Sequence, residues 1–206
     1  MKKLLIVALL LTPSVFFLTQ CSDNKSSENT SKKDTVLVGT NPNGGYESQV
    51  KWGEHLVTSI GCGDCHTPKK MSPMGPVDDS SLLLSGHPSH MPPPDIDRKM
   101  IEGKGLGVTN TLTAWVGPWG ISYAANLTSD STGIGMWTEE QFMTALRMGK
   151  WKGMAANRDL LPPMPWQSFR HLSDDEIKAI FAYLKSTPPI KNIEPPAAPP
   201  VSAPQH

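Results

Sequence analysis

Gly61–Pro68 reads GCGDCHTP and holds two of the chain's three cysteines, Cys62 and Cys65, with His66 directly after the second. Two thiols at this spacing admit four chemistries: a disulfide, a thioredoxin-like redox pair, half of a zinc site, or the anchor of a c-type haem. Their immediate neighbours do not choose among the four. The compartment, the other candidate ligands and the surrounding helices do.

The N-terminus points to export. Lys2 and Lys3 precede the apolar run LLIVALLLTPSVFFL, which Pro13 interrupts and which is short for a spanning helix. LTQC resembles a bacterial lipoprotein signal, in which Cys21 becomes the first mature residue and carries lipid. Residues 1–20 are therefore expected to be the signal, and the domain to sit lipid-anchored on the periplasmic side of a bacterial membrane. The run SDNKSSENTSKKD that follows has almost no apolar residues to offset the entropy of ordering, so residues 21–45 read as a flexible tether. Such a coil spans roughly 27 Å.

Composition bounds the remainder. A hydrophobic share of 38% with 20 prolines and 17 glycines fits one compact domain, residues 46–190, containing much irregular chain, followed by a Pro/Ala-rich tail at 191–206 that reads as extended or disordered. The formal net charge is zero, which excludes the basic footprint of a nucleic-acid binder.

Helical periodicity marks three segments. Tyr46, Val50, Gly53, Val57 and Ile60 recur at helical spacing from Tyr46 to Ile60, and a glycine within that stripe predicts the close crossing of another helix. Thr138 with Gln141 forms a capping-box pattern, Trp137 with Phe142 a staple, and Gly149 suits the end of a helix whose face is Phe142, Ala145 and Leu146. Ser173 with Glu176 and Leu172 with Ile177 repeat the device. Ile177, Ile180, Phe181 and Leu184 then form a stripe that ends at Lys185, Pro188 and Pro189. Between His66 and Trp137 only a weak helical signal appears, near Asp97–Glu102. The segment's Leu82–Leu84, Trp115, Trp119 and Tyr123 predict an ordered loop wrapping something apolar.

The four chemistries can now be weighed. A redox pair expects a βαβ setting, and the surroundings here are helical. A disulfide between residues three apart closes a short loop and gains little. Zinc could recruit His87 and His90, yet their prolines oppose a helix and His66 is left over. Haem uses every residue: two thiols at Cys-x-x-Cys spacing can add to the two vinyl groups of one porphyrin, and the adjacent His66 reaches the iron. One covalent haem c on Cys62 and Cys65 is the expectation.

The opposite face of the iron needs a ligand or an opening. Most of the ten methionines should be packing residues. Met164 differs, because LLPPMPW places it between Pro163 and Pro165, which stiffen the chain and bias it away from helix. It is the expected sixth ligand. Met91, also followed by proline, is next, and His87, His90 and His171 are further alternatives.

The segments GEHLVTSIGCGDCHTP, ANLTSDSTGIGMWTEEQF, LPPMPW and LSDDEIKAIFAYLKSTPP together resemble class I-type cytochrome c domains, most nearly the monohaem modules of bacterial dehydrogenase cytochrome subunits. The likeness covers roughly residues 46 to 192. It implies an all-α, cytochrome c-like fold with about three main helices and a long irregular haem-wrapping loop. The first and last helices would cross near the haem edge, with Gly53 against the Tyr183 region. Cys62 and Cys65 would form thioethers, with His66 as proximal and Met164 as distal iron ligand. Trp166, Tyr123 and Asn126 are candidates for propionate contacts. The implied role is electron transfer rather than catalysis, with redox proteins as partners, the membrane reached through the lipid, and no nucleic acid. A peroxidase-like haem enzyme with a labile distal ligand, and a haem-based sensor or structural subunit, are the alternatives.

Overall fold

Helix ends in this chain are set by side chains that reach back to their own backbone. In the computed structural model, which describes residues 42–201, α1 spans Gln49–Ser59 and starts where Ser48 accepts from the Lys51 amide. α4, Glu139–Met148, carries the full Thr138/Gln141 capping box and ends at Gly149 in the left-handed region (φ 64°). α6, Asp174–Ser186, carries the Ser173/Glu176 box, with Asp174, Asp175 and Glu176 at its positive end. The signal, Cys21 and the tether up to residue 41 lie outside the described residues.

These three helices bury one face each. Leu56 and Val57 of α1, Phe142 and Leu146 of α4, and Ile177, Ile180 and Leu184 of α6 form a single core cluster. Gly53 is the contact point of α1 with α6. A Cβ there would fall 1.9 Å from the Ala179 carbonyl oxygen and 2.8 Å from Tyr183 Cβ, so only glycine lets the backbones approach this closely. The predicted crossing is therefore present. The stripe on α1 is rotated from the expected one: Leu56 is buried, while Val50 is 36% exposed.

The segment from Thr67 to Trp137 is more regular than its sequence predicts. It contains a hairpin of β1 (Lys69–Ser72) and β2 (Gly75–Asp78), then α3 (Arg98–Lys104), then an antiparallel sheet of β3 (Gly107–Val108), β4 (Ala114–Gly117) and β5 (Gly120–Tyr123). α3 realises the weak signal near Asp97, whose carboxylate accepts from the Met100 amide at 3.0 Å. The strands leave no mark in the sequence for a physical reason. None exceeds four residues, and every residue of β4 is buried, so no alternation marks it. The fold is thus mostly helical, with six α-helices and two small sheets among the described residues, and the expected irregular loop is an ordered insertion.

Residues 191–201, the described part of the Pro/Ala-rich tail, form no helix or strand but are pinned. Asn192 donates from Nδ2 to the carbonyls of Ser85 (2.7 Å) and His87 (2.8 Å) and accepts from the Ser89 amide (2.9 Å). Asn126 Nδ2 donates to the Ile190 carbonyl at 2.8 Å. Ala198 bridges Ile121 antiparallel, and the Val201 amide donates to Glu102 Oε2 at 2.7 Å. The tail is a strap across the insertion.

Candidate haem-binding site

Gly61 turns the chain out of α1 in a left-handed conformation (φ 74°), and α2, Cys62–His66, begins at once. On a helix, positions i, i+3 and i+4 share a face. Cys62, Cys65 and His66 occupy those positions, so one short turn presents two thiols and an imidazole together.

Both thiols are free and partly buried. Burial pushes the Cys62 thiol up to about 12, with smaller contributions from Asp64 and Cys65. Burial, then Asp64, also raises Cys65. Both are therefore protonated at neutral pH, a poor state for a thiolate nucleophile.

His66 is buried, and its Nδ1 lies 2.7 Å from the Ala125 carbonyl oxygen. A carbonyl only accepts, so Nδ1 carries the hydrogen and Nε2 keeps its lone pair. Nε2 has no hydrogen-bond partner among the described residues. Burial holds the ring's pKa below the usual histidine value, which keeps the imidazole neutral. The ring is thus fixed in tautomer and orientation, the state in which a metal-ligating histidine is held. The backbone behind it is also fixed, because its carbonyl accepts from the Gly86 amide at 2.8 Å.

Met164 comes into contact with His66 and, like Cys62, packs against the core cluster. The short helix α5, Trp166–Phe169, begins two residues later and has no counterpart among the helices expected from periodicity. Its Trp166 ring lies over Gly149, where a Cβ would fall 2.3 Å from the indole. The Met164 turn is therefore tied to the end of α4.

The other candidates lie elsewhere or are engaged. His171 and His90 are exposed, and Met91 sits in a turn closed by its amide to the Pro88 carbonyl at 3.0 Å. His87 is fully buried, with Nδ1 2.9 Å from Thr113 Oγ1 and its ring 4.9 Å from that of Tyr123. Among the described residues no group of three or more His, Cys, Asp or Glu converges to hold a metal ion, so Cys62, Cys65, His87 and His90 do not assemble a zinc site. Asn126 is spent on the strap and its own turn, its Oδ1 accepting from the Thr128 amide at 2.9 Å. The Ala125 carbonyl has no sequence signal, because any residue type supplies one.

The chemistry of this donor set fits a covalently held haem: two thiols and one neutral imidazole on one face of a short helix, with Met164 in contact with His66. No helix of the described residues is long and apolar enough to cross a membrane.

No protein-family model matches the chain. It is 28% identical over 151 residues to the cytochrome c subunit of a quinone alcohol dehydrogenase of Gluconacetobacter polyoxogenes, covering 72% of this chain and 26% of that protein. It is 26% identical over 159 residues to the fructose dehydrogenase cytochrome subunit of Gluconobacter japonicus, covering 72% and 25%. A third relative, the gluconate 2-dehydrogenase cytochrome c subunit of Pantoea cypripedii, is 29% identical over 136 residues, covering 65% and 25%. The chain spans about a quarter of the length of these relatives. It is distantly related to the cytochrome c subunits of bacterial dehydrogenases.

Proposed function

We propose that this chain is a one-electron carrier holding a single haem c, with Cys62 and Cys65 as thioether anchors and His66 and Met164 as axial ligands. The observation that carries the reading is the shared face of Cys62, Cys65 and His66, together with the contact between His66 and Met164. When bound, the haem supplies one-electron redox chemistry between ferric and ferrous iron.

The chain's own residues do the remaining work. The two thiols fix the porphyrin against loss. The Ala125 carbonyl holds His66 with Nε2 free, which removes the reorganisation a mobile ligand would need. A methionine opposite a histidine raises the potential relative to two histidines. The packed faces of α1, α4 and α6 keep water from one side of the site.

The relatives' names place them as cytochrome subunits of dehydrogenases. By analogy the partner here is a dehydrogenase or another redox protein that gives or takes single electrons, and the chain itself is not the catalytic unit. The sequence of residues 1–45 supports export and a lipid tether at Cys21, which would raise the local concentration of the domain near membrane redox proteins.

Covalent attachment is tested by co-expressing the chain with a haem-ligation system and staining for haem after denaturing electrophoresis. The wild-type chain should retain one haem, and the double variant Cys62→Ala, Cys65→Ala should retain none. A wild-type chain that never acquires covalent haem contradicts the reading.

A further inference from the structure

The insertion reaches the Met164 turn through one side chain. Ser122, on β5 and 7% exposed, donates from Oγ to the Pro162 carbonyl at 2.5 Å. Trp119, in the turn between β4 and β5, donates from Nε1 to the same Oγ at 3.1 Å. The directions are unambiguous. An indole N–H only donates and a carbonyl only accepts, so the hydroxyl accepts from Trp119 and spends its own hydrogen on Pro162.

Both ends of this relay are held. β5 pairs with β4 on one edge, Trp115 opposite Ser122, and Ala198 bridges Ile121 on the other. A Cβ on Gly120 would lie 2.0 Å from the Ala198 carbonyl oxygen, so the strap sits directly on the strand. A Cβ on Gly117 would lie 2.5 Å from the Trp119 ring, so the indole rests on bare backbone.

Beside the packing of Met164 and Trp166, the backbone of the Met164 turn is sparsely bonded. Within Leu161–Met164 the backbone makes one internal hydrogen bond, Met164 amide to Leu161 carbonyl, at 3.3 Å. Only Pro163 separates the clamped carbonyl from Met164, and its ring fixes φ. A shift of the Pro162 carbonyl therefore has few free backbone torsions in which to be absorbed before it reaches the methionine.

We propose that Ser122, oriented by Trp119, is a positioning residue that holds Met164 against the His66 side of the site. This rests on the reading of Met164 as an iron ligand. The insertion would then buttress the ligand turn from outside the helical frame, a task that no residue of α1, α4 or α6 performs through a hydrogen bond to Pro162.

The test uses the full haem-loaded chain and the variants Ser122→Ala, Ser122→Thr and Trp119→Phe. The readouts are the weak far-red absorption band of oxidised sulfur–iron ligation, the rate of cyanide binding to the oxidised protein, and the melting temperature. Ser122→Ala should weaken the band and speed cyanide binding about fivefold, the scale of one lost neutral hydrogen bond. Trp119→Phe should move both readouts the same way by less, and Ser122→Thr, which keeps the hydroxyl, should stay near wild type. Wild-type band and cyanide rate in both Ser122→Ala and Trp119→Phe, even with lowered melting temperatures, would reduce the clamp to a structural contact and overturn the proposal. A wild-type protein without the band instead removes Met164 as ligand, a failure visible before any variant is made.

Discussion

The helical frame and the insertion that it carries are held by different forces. In the frame, α1, α4 and α6 bury apolar stripes, and the closest approach is backbone on backbone at Gly53. In the insertion and strap, strands of two to four residues are joined by side chains that bond distant carbonyls and amides, with Asn192 and Asn126 as the main links. The residues proposed to hold the haem are divided accordingly. Cys62, Cys65 and His66 sit on the frame, while the Ala125 carbonyl that orients His66 and the Ser122 hydroxyl that reaches the Met164 turn come from the insertion. On the proposed reading, the candidate ligands lie on α2 and in the turn before α5, and the insertion aims them.

The sharpest way to break the frame alone is Gly53→Ala. The added methyl would meet the Ala179 carbonyl at 1.9 Å, backbone that cannot yield without moving α6. Overpacking at a backbone contact should cost about 3 kcal/mol or more, read as a fall in the urea midpoint.

The insertion should show its own pH dependence through His87. Burial lowers its pKa to about 4, against a weaker opposing pull from the Met91 backbone. An unfolded histidine titrates near 6.5, so between those values the unfolded chain binds the extra proton and stability rises with pH. The contribution is fully present above about pH 6.5 and lost as pH falls toward 4. Its size should be about 3 kcal/mol at most. Urea titrations of the haem-loaded protein at several pH values should show this loss, and His87→Gln should flatten it.

Asn192→Ala breaks the strap without touching the frame. It leaves the buried carbonyls of Ser85 and His87 without this partner. The expected cost is about 2 kcal/mol. Limited proteolysis near residues 190–201 should become faster.

The same division decides how much is legible in the sequence. Thr138/Gln141 and Ser173/Glu176 announce α4 and α6 because a cap must satisfy local amides with local side chains. Cys62, Cys65, His66 and Met164, the proposed haem-holding residues, stand out because such chemistry restricts residue type and proline marks the turn. The strands around Trp115 and Ser122 are too short and too evenly buried to show a period. The Asn192 strap bonds to backbone about a hundred residues away, and backbone carries no residue code. Ala125 orients His66 through such a carbonyl, so the orienting half of the site is invisible in the sequence while its ligating half is plain.

The most direct measurement of the central claim is the far-red absorption spectrum of the oxidised, haem-loaded protein beside that of Met164→Ala. His66/Met164 ligation predicts the weak sulfur-to-iron band in the wild type and its loss in the variant, with cyanide binding sharply faster. A band that survives Met164→Ala would contradict the account and move the sixth ligand to another residue, Met91 first.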